Sequence, residues 1–415
     1  MSKIGVIGAG VSGLVAAHLL SDDHEVWVYE ANDYAGGHTR TVRVDVGEGS
    51  WDVDTGFIVF NERAYPHFLL LLARLGIAKL PTSMSFSVRC QRTGLEYGGR
   101  TLSSVFAQRR NLFRPSFYRM IRDILRFGRE ARDFIDSVGD DVGLLDYLVR
   151  NRYSEEFIER YVIPMGAAIW SADPDQMKLF PVRYFVRFFD HHGVLDIRNA
   201  PHWCVVSVVS MRYVERLTSQ FRERLRLSCP ISRVTRESKG VRVHTTDGEK
   251  QLFDEVVIAT HSDQALEIID NPTPREHEIL GAIRYQRNDV VLHSDTTLMP
   301  RRRLAWSSWN YHIPVEPARR VMVTYNMNML QSLDAAETFL VTLNGEDSID
   351  PSRVYDRVVF YHPVFTPEAV SAQARHEEIS GVDRVHYCGA YWRYGFHEDG
   401  VDSALAVCRR FGKTL

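Results

Sequence analysis

Lys3-Ile-Gly-Val-Ile-Gly8-Ala-Gly10-Val-Ser12-Gly13, then the apolar run Leu14 to Leu20, then Glu25-Val-Trp-Val-Tyr-Glu30, is the stretch that decides how this chain folds. It predicts a short apolar strand, a glycine turn, a helix, and a second strand ending in a carboxylate. A lone G-x-G-x-x-G says little; between a strand and a helix it is a dinucleotide-binding fingerprint. Gly8 allows the tight turn, Gly10 lets backbone approach a pyrophosphate, and Gly13 lets the helix pack close to the sheet. The phosphates then meet free N–H groups at the positive end of that helix. Glu30 stands roughly 20 residues on, where a carboxylate accepts from ribose hydroxyls. The competing reading is a glycine-rich turn in some other α/β protein. The motif leaves NAD and FAD both open.

Working outward, the next feature is a second glycine pair, Gly36-Gly37, followed by His38-Thr-Arg40. An NAD domain that transfers hydride rarely needs such a pair just past the ribose carboxylate. A flavoprotein does, because its chain turns back under the pyrophosphate of the longer FAD. Arg40, or His38, is placed to pair with phosphate; the alternative for Arg40 is a solvated surface side chain. Asp54-Thr-Gly56 before Phe57 to Phe60 predicts a tight turn that brings backbone near a ligand. Val42 to Val46 alternates as a strand. Pro66 starts a helix through Leu75 that Gly76 ends. Phe86 to Tyr97 reads as a hairpin around Thr93-Gly94.

Arg109 to Phe134 has a different character. Phe117, Ile121, Ile124, Gly128, Ala131 and Ile135 recur at helical spacing, and Arg119, Arg122, Arg126 and Arg129 fall on another face. This predicts a basic amphipathic helix, suited to an anionic membrane surface or to admitting a lipid, or else a domain helix with a solvated arginine face. Phe157 to Ser171 (FIERYVIPMGAAIWS) and the aromatic Phe180 to Phe189 are each read two ways, as cavity lining or as core. From Leu227 onward, strands are expected at Ile231 to Arg236, Gly240 to Gly248 and Phe253 to Thr260, with Val256 to Ala259 a buried parallel strand. The chain closes with a strand and glycine turn at Val385 to Gly400 and a helix from Val401 to Phe411.

Length and composition set the frame. The 415 residues, 45% hydrophobic and 25% charged, describe an ordinary globular chain of two to three domains, and a net charge of −3 gives no reason to expect nucleic acid. Cys90, Cys204, Cys229, Cys388 and Cys408 form no C-x-x-C and no metal-ligand spacing, so no metal is expected and reduced thiols in a cytoplasmic protein are. The first apolar run is the nucleotide-binding strand itself, which argues against a signal peptide, and Phe68 to Leu75 is too short to span a bilayer.

The initial glycine motif, Glu30, Gly36-Gly37, Asp54-x-Gly56, the Val234 strand, the Val256 to Ala259 strand, and the terminal Gly389 and Gly400 together resemble the flavin-containing amine oxidase and phytoene desaturase superfamily. Within it, DTGFIVFNER (Asp54 to Arg63), IPMGAAIWS (Ile163 to Ser171) and CGAYWRYGFHEDG (Cys388 to Gly400) resemble bacterial FAD-dependent proteins associated with cyclopropane and furan fatty acid formation. The resemblance implies an α/β fold: an FAD-binding, Rossmann-like domain of the GR2 type, similar to p-hydroxybenzoate hydroxylase, with an inserted mixed α+β substrate domain. Residues 1–80, 205–265 and 380–415 would form the first, and 81–204 and 266–379 the second. It further implies that Gly8, Gly10, Ser12 and Gly13 hold the pyrophosphate and Glu30 the adenosine ribose. Gly36, Gly37 and Arg40 would flank phosphates and flavin, and Gly56 would lie beneath the ring. Val234 would meet adenine through its backbone, and Gly389 and Ala390 the ribityl-phosphate end. Gly400 and Val401 would offer helix N–H groups to the pyrimidine edge, with FAD held non-covalently. The chain departs from amine oxidases at His38, where they carry arginine, and at Ala390, where they carry an acid; no lysine matches the one they keep near the flavin.

A flavin carries the hard chemistry while protein supplies orientation and dryness, which fits the lack of a paired carboxylate or nucleophilic triad. Tyr361, His362 and Trp309 are the side chains to test near substrate. The leading expectation is an FAD-dependent oxidoreductase that dehydrogenates a hydrophobic substrate such as a fatty acyl chain, with oxygen or a membrane carrier as acceptor. The alternatives are a flavin-dependent double-bond isomerase, a non-catalytic flavin-bearing adaptor for a lipid-modifying methyltransferase, and an NAD dehydrogenase. Peripheral membrane contact is expected through Arg109 to Arg132.

Overall fold

The structure is a computed structural model that describes residues 1–47, 49–135, 142–195, 201–316 and 320–415. Lys3–Ile7 pairs in parallel with Glu25–Tyr29 on one side and Glu255–Ile258 on the other, in register Ile4 to Val26 and Ile4 to Glu255. Leu225–Arg226 and Val385–Tyr387 extend the two edges, giving a five-stranded sheet built from distant stretches of chain. Val6, Val26, Val28, Val256, Val257 and Ile258 are fully buried, as strands covered on both faces require. The first helix, Val11–Leu20, lies on one face beside the closing helix, His397–Arg409. The strands Ile231–Glu237, Gly240–Thr245 and Lys250–Phe253 form an antiparallel meander that buries Val234, Val241 and Val243 against the other face.

A second, seven-stranded sheet runs in the order Val354–Val364, Arg284–His293, Leu340–Leu343, Met322–Asn326, Trp309–Ile313, Phe86–Cys90 and Leu95–Gly98. It is antiparallel except where Trp309–Ile313 meets Phe86–Cys90. Helices Pro115–Ile135, Ile163–Trp170 and Val182–His191 share its core. The two aromatic stretches open to either reading are core: Phe157, Phe185 and Phe189 are fully buried, and Trp170 lies 4.7 Å from Phe180 and 4.6 Å from Phe188 between ring centroids. The fold is thus mixed α/β with a Rossmann-like parallel sheet. All five cysteines are free thiols. No helix among the described residues is long and apolar enough to cross a membrane.

Three local expectations shift. The closing helix begins at His397, four positions before Val401, because the Asp399 carboxylate accepts the Phe396 N–H (2.9 Å) and caps it there. The buried stripe of the arginine-rich helix is Phe117, Met120, Asp123, Phe127 and Ala131, because the Asp123 carboxylate accepts the Ser154 N–H (2.8 Å) inside the core. The arginine face is also largely neutralised. Arg119 pairs with Glu156 (3.1 Å), Arg126 with Glu130 (2.8 Å) and Arg132 with Asp190 (2.7 Å).

Candidate functional site

The site begins at the turn after the first strand. The first helix starts with Gly10 as its cap residue, no side chain bonds its free end, and its first turn carries no acid, so its N–H groups face outward uncompensated. A methyl group on Gly10 would meet nothing within 4 Å, whereas one on Gly13 would lie 2.0 Å from the Gly8 carbonyl oxygen. The turn is therefore closed underneath and open above. Glu30 is buried and fixed: Oε2 accepts the Ala9 N–H (2.8 Å), and Oε1 accepts from the backbone N–H (2.9 Å) and side-chain amide (2.7 Å) of Asn32.

The second glycine pair docks on this turn. The Gly36 N–H donates to the Ala9 carbonyl (2.7 Å), and a methyl on Gly37 would stand 3.1 Å from the Gly10 Cα. The chain then pairs with the Asp54-Thr-Gly56 turn: the Thr55 N–H donates to Arg40 (2.8 Å) and the Phe57 N–H to His38 (2.8 Å). A methyl on Gly56 would fall 1.9 Å from the His38 carbonyl oxygen. At the far end, Gly400 meets Val11 and Ser12 across the two helices, and Ala390 lies beside it. Gly8, Gly10, Val11, His38, Gly56, His261 and Ala390 all keep partial solvent exposure in the middle of the molecule, whereas Ala9, Ser12 and Phe57 do not. The junction of these segments is a solvent-reached seam.

Its wall is built of imidazoles. His38 stacks on Phe360 (4.5 Å between centroids) and lies 5.2 Å from His362 and 6.2 Å from His261. Burial, with a neighbouring imidazole adding to it, lowers the pKa of His38 and His362 to about 3 and of His261 to about 4, so all three are neutral. The buried Nε2 of His38 has no hydrogen-bond partner among the described residues. Below them, Thr39, Tyr213 and His397 share hydrogen bonds (His397 Nε2 to Thr39 Oγ1 2.9 Å, to Tyr213 Oη 2.8 Å), and the His397 ring stacks on Phe57. Asp54 is buried and accepts from Thr41 and Ser210; burial lifts its pKa to about 6.

Of the residues singled out in the sequence, Gly8, Gly10, Ser12, Gly13, Glu30, Gly36, Gly37, Gly56, Ala390 and Gly400 stand together. Gly389 sits one residue before Ala390, its N–H donating to Ser403 (3.0 Å). Others differ. Arg40 forms an ion pair with Asp356, so its guanidinium is already balanced. The Gly400 N–H donates to the Phe396 carbonyl (3.0 Å), which removes it as a free donor and puts Val401 inside the helix; the open N–H groups are those of the turn before. The Val234 carbonyl accepts the Asp270 N–H (2.9 Å), and its side chain, on the meander, is buried in the core. Tyr361 points outward on its strand, 43% exposed and opposite Arg287, because alternation sends Phe360 and its other neighbour inward. Trp309 lies four strands from His362 in the same sheet, roughly 19 Å at 4.8 Å per strand. Only His362 of the three reaches the seam. His261 and the Thr39, Tyr213 and His397 group escaped sequence reading; the sole trace of the latter is His397 within the closing motif.

These features suit a dinucleotide: an open helix end over a closed glycine turn, a fixed carboxylate, and an unsatisfied donor-acceptor atom at His38 past the second glycine pair. Comparison with known proteins agrees. The flavin containing amine oxidoreductase family matches residues 11–292. A Mycobacterium tuberculosis protein named as a flavin-containing monoamine oxidase, AofH, is 26% identical over 286 residues, 66% of this chain; the match spans 61% of that relative's length. Cyclohexylamine oxidase from Brevibacterium oxydans IH-35A superposes with a TM-score of 0.71 at 16% identity, covering 99% of both chains. A CLA-producing fatty acid isomerase from P. acnes gives 0.69 at 16% identity, covering 99% of this chain and 98% of that one. Both likenesses are of fold.

Proposed function

The chain belongs to the flavin containing amine oxidoreductase family, with FAD as its cofactor, and on that premise we propose that it dehydrogenates a hydrophobic substrate, a fatty acyl chain or a modified one, with oxygen or a membrane carrier as final acceptor. Residues 1–80, 205–265 and 380–415 are assigned to the cofactor and 81–204 and 266–379 to the substrate. Gly8, Gly10, Ser12 and Gly13 would hold the pyrophosphate on the open end of the first helix, and Glu30 the ribose. When bound, the flavin supplies the hydride-accepting chemistry. The chain's own residues orient, exclude water and set the electrostatics.

The observation that carries the substrate reading is the uncharged wall. His38, whose carbonyl packs against Gly56, and its neighbours His261 and His362 are all held neutral. A wall of this kind offers no counter-charge to an ionic substrate and, once flavin and substrate displace water from the seam, suits an uncharged C–H bond. A second reading is a double-bond shift within an unsaturated fatty acid, supported by the same wall and by a fold shared with an isomerase of fatty acids. Anaerobic mixing of the FAD-loaded protein with fractionated membrane lipids tests both. Bleaching of the flavin absorbance by a lipid fraction is expected for dehydrogenation. Product formed without lasting bleaching selects isomerisation, and neither response in any fraction contradicts the lipid reading.

A further inference from the structure

We propose that residues 100–118 and 301–304 together form a docking surface for an anionic lipid bilayer. The two segments are far apart in sequence and alike in character. Three large apolar side chains stand out in solvent: Phe113 is 87% exposed, Leu102 81% and Leu304 57%. Around them lie seven arginines, at 100, 109, 110, 114 and 301–303, and residues 98–118 and 299–308 contain no aspartate or glutamate. None of these arginines makes an ion pair among the described residues, in contrast to the neutralised face of helix Pro115–Ile135.

The fold brings the pieces together and stiffens them. The one-turn helices Leu102–Val105 and Arg303–Ala305 pack side by side. The Glu96 carboxylate is turned inward, where it accepts the N–H groups of Arg301 (3.0 Å) and Arg302 (3.2 Å) and pins that loop. Phe106 reaches Phe117 (5.6 Å) and Tyr118 (6.0 Å), and the Tyr118 hydroxyl donates to the Leu112 carbonyl (3.1 Å), which fixes the Arg109–Phe113 turn on the same platform.

Charge complementarity and the exposed tips together select the occupant. Apolar tips ringed by arginine match the interface of a bilayer, where the tips enter the acyl boundary and the guanidinium groups stay with anionic headgroups. Each arginine near such a surface contributes roughly fivefold to partitioning. A purely electrostatic partner such as RNA would leave Phe113, Leu102 and Leu304 without a role. The surface rests on these observations alone and does not depend on the substrate reading, although a bilayer-docked protein would meet hydrophobic substrate at its source.

The test is cosedimentation of the FAD-loaded full chain with phosphatidylcholine vesicles, with and without phosphatidylglycerol. Binding is expected only with phosphatidylglycerol, is released by high salt, and falls about tenfold or more in Phe113→Ser/Leu304→Ser and in Arg109→Glu/Arg110→Glu. Arg126→Gln, on the neutralised face, should bind as wild type. Phe113, Leu304, Arg109 and Arg110 are exposed and Arg126 is half-buried, so flavin content and unfolding midpoint report that each variant is folded. Absence of binding to anionic vesicles overturns the proposal. So does binding that Phe113→Ser/Leu304→Ser leaves unchanged, since that is loose adsorption of charge. A concentration-dependent dimer in sedimentation velocity, abolished by the same double variant, assigns the face to a second copy and also overturns it. Vesicle binding without flavin bleaching leaves this surface standing and removes the lipid-oxidation reading; bleaching by detergent-dispersed lipid without vesicle binding does the reverse.

Discussion

At Glu30, one buried carboxylate holds three donors from two segments, one of them the Ala9 N–H of the glycine turn. Glu30→Ala strands the Ala9 N–H and removes the carboxylate proposed to accept from the ribose. We expect FAD affinity to fall on the order of tenfold to a hundredfold, with about 1–3 kcal/mol of stability lost, read by flavin titration and urea unfolding. Gly56→Ala is a packing test. Its methyl would meet a backbone oxygen, which has no rotamer to yield, so a loss of about 1–3 kcal/mol is expected with weaker FAD retention. The residues legible in the sequence were those whose place is set by immediate neighbours: Gly13 by the helix whose first turn it joins, Glu30 by the strand it follows. His38 was legible only as a candidate for phosphate. Its actual surroundings, Phe360 and His362 on a strand and His261 at the start of a helix, join it only after folding, and no spacing rule reaches that far.

Among the elements, the closing helix also braces a neighbouring helix. Glu398 in its first turn accepts the N–H groups of His67 (3.0 Å) and Phe68 (2.9 Å), so it caps the helix Pro66–Arg74 from outside that helix's own sequence. Glu398→Ala leaves two orphan donors at a half-buried helix end. A cost of about 1–3 kcal/mol is expected in urea unfolding, and Glu398→Gln should recover part of it because its amide oxygen still accepts. The strands at Lys3, Glu25, Ile231, Gly240 and Val256, the hairpin at Phe86 to Tyr97 and the Pro66 helix follow local pattern and were legible; most strands of the seven-stranded sheet were not. The start of the closing helix was not, since Gly400 resembles an opener while Asp399 and the cap decide the boundary. The arginine-rich helix shows the same limit. Its period was readable, but the partners Glu156 and Asp190 that cancel its charge lie on other helices.

For the molecule as a whole, neutral buried imidazoles dominate the response to acid. His38, His192, His312 and His362 are lowered to about 3, and His261 and His293 to about 4, chiefly by burial. The unfolded chain takes up protons below about 6.5 that the folded one refuses, so stability is lost as pH falls through the window from 6.5 toward 3. Asp54 and Asp399, raised to about 6 and about 7 by burial, work in the opposite sense and gain as pH falls below those values. Six histidines outweigh two carboxyls at about 1.4 kcal/mol per pH unit for each uncompensated proton. The unfolding midpoint should therefore drop steeply between pH 6.5 and pH 5, and less steeply in His38→Asn; a flat profile across that range would contradict the neutral wall. The central claim, that stretches of chain far apart in sequence converge to hold one FAD, is tested most directly by the flavin content of purified, folded protein. The account predicts close to one FAD per chain, lost on gel filtration of Glu30→Ala while circular dichroism stays native. Folded wild type that is colourless and takes up no added FAD, or Glu30→Ala that keeps it as tightly as wild type, would contradict it.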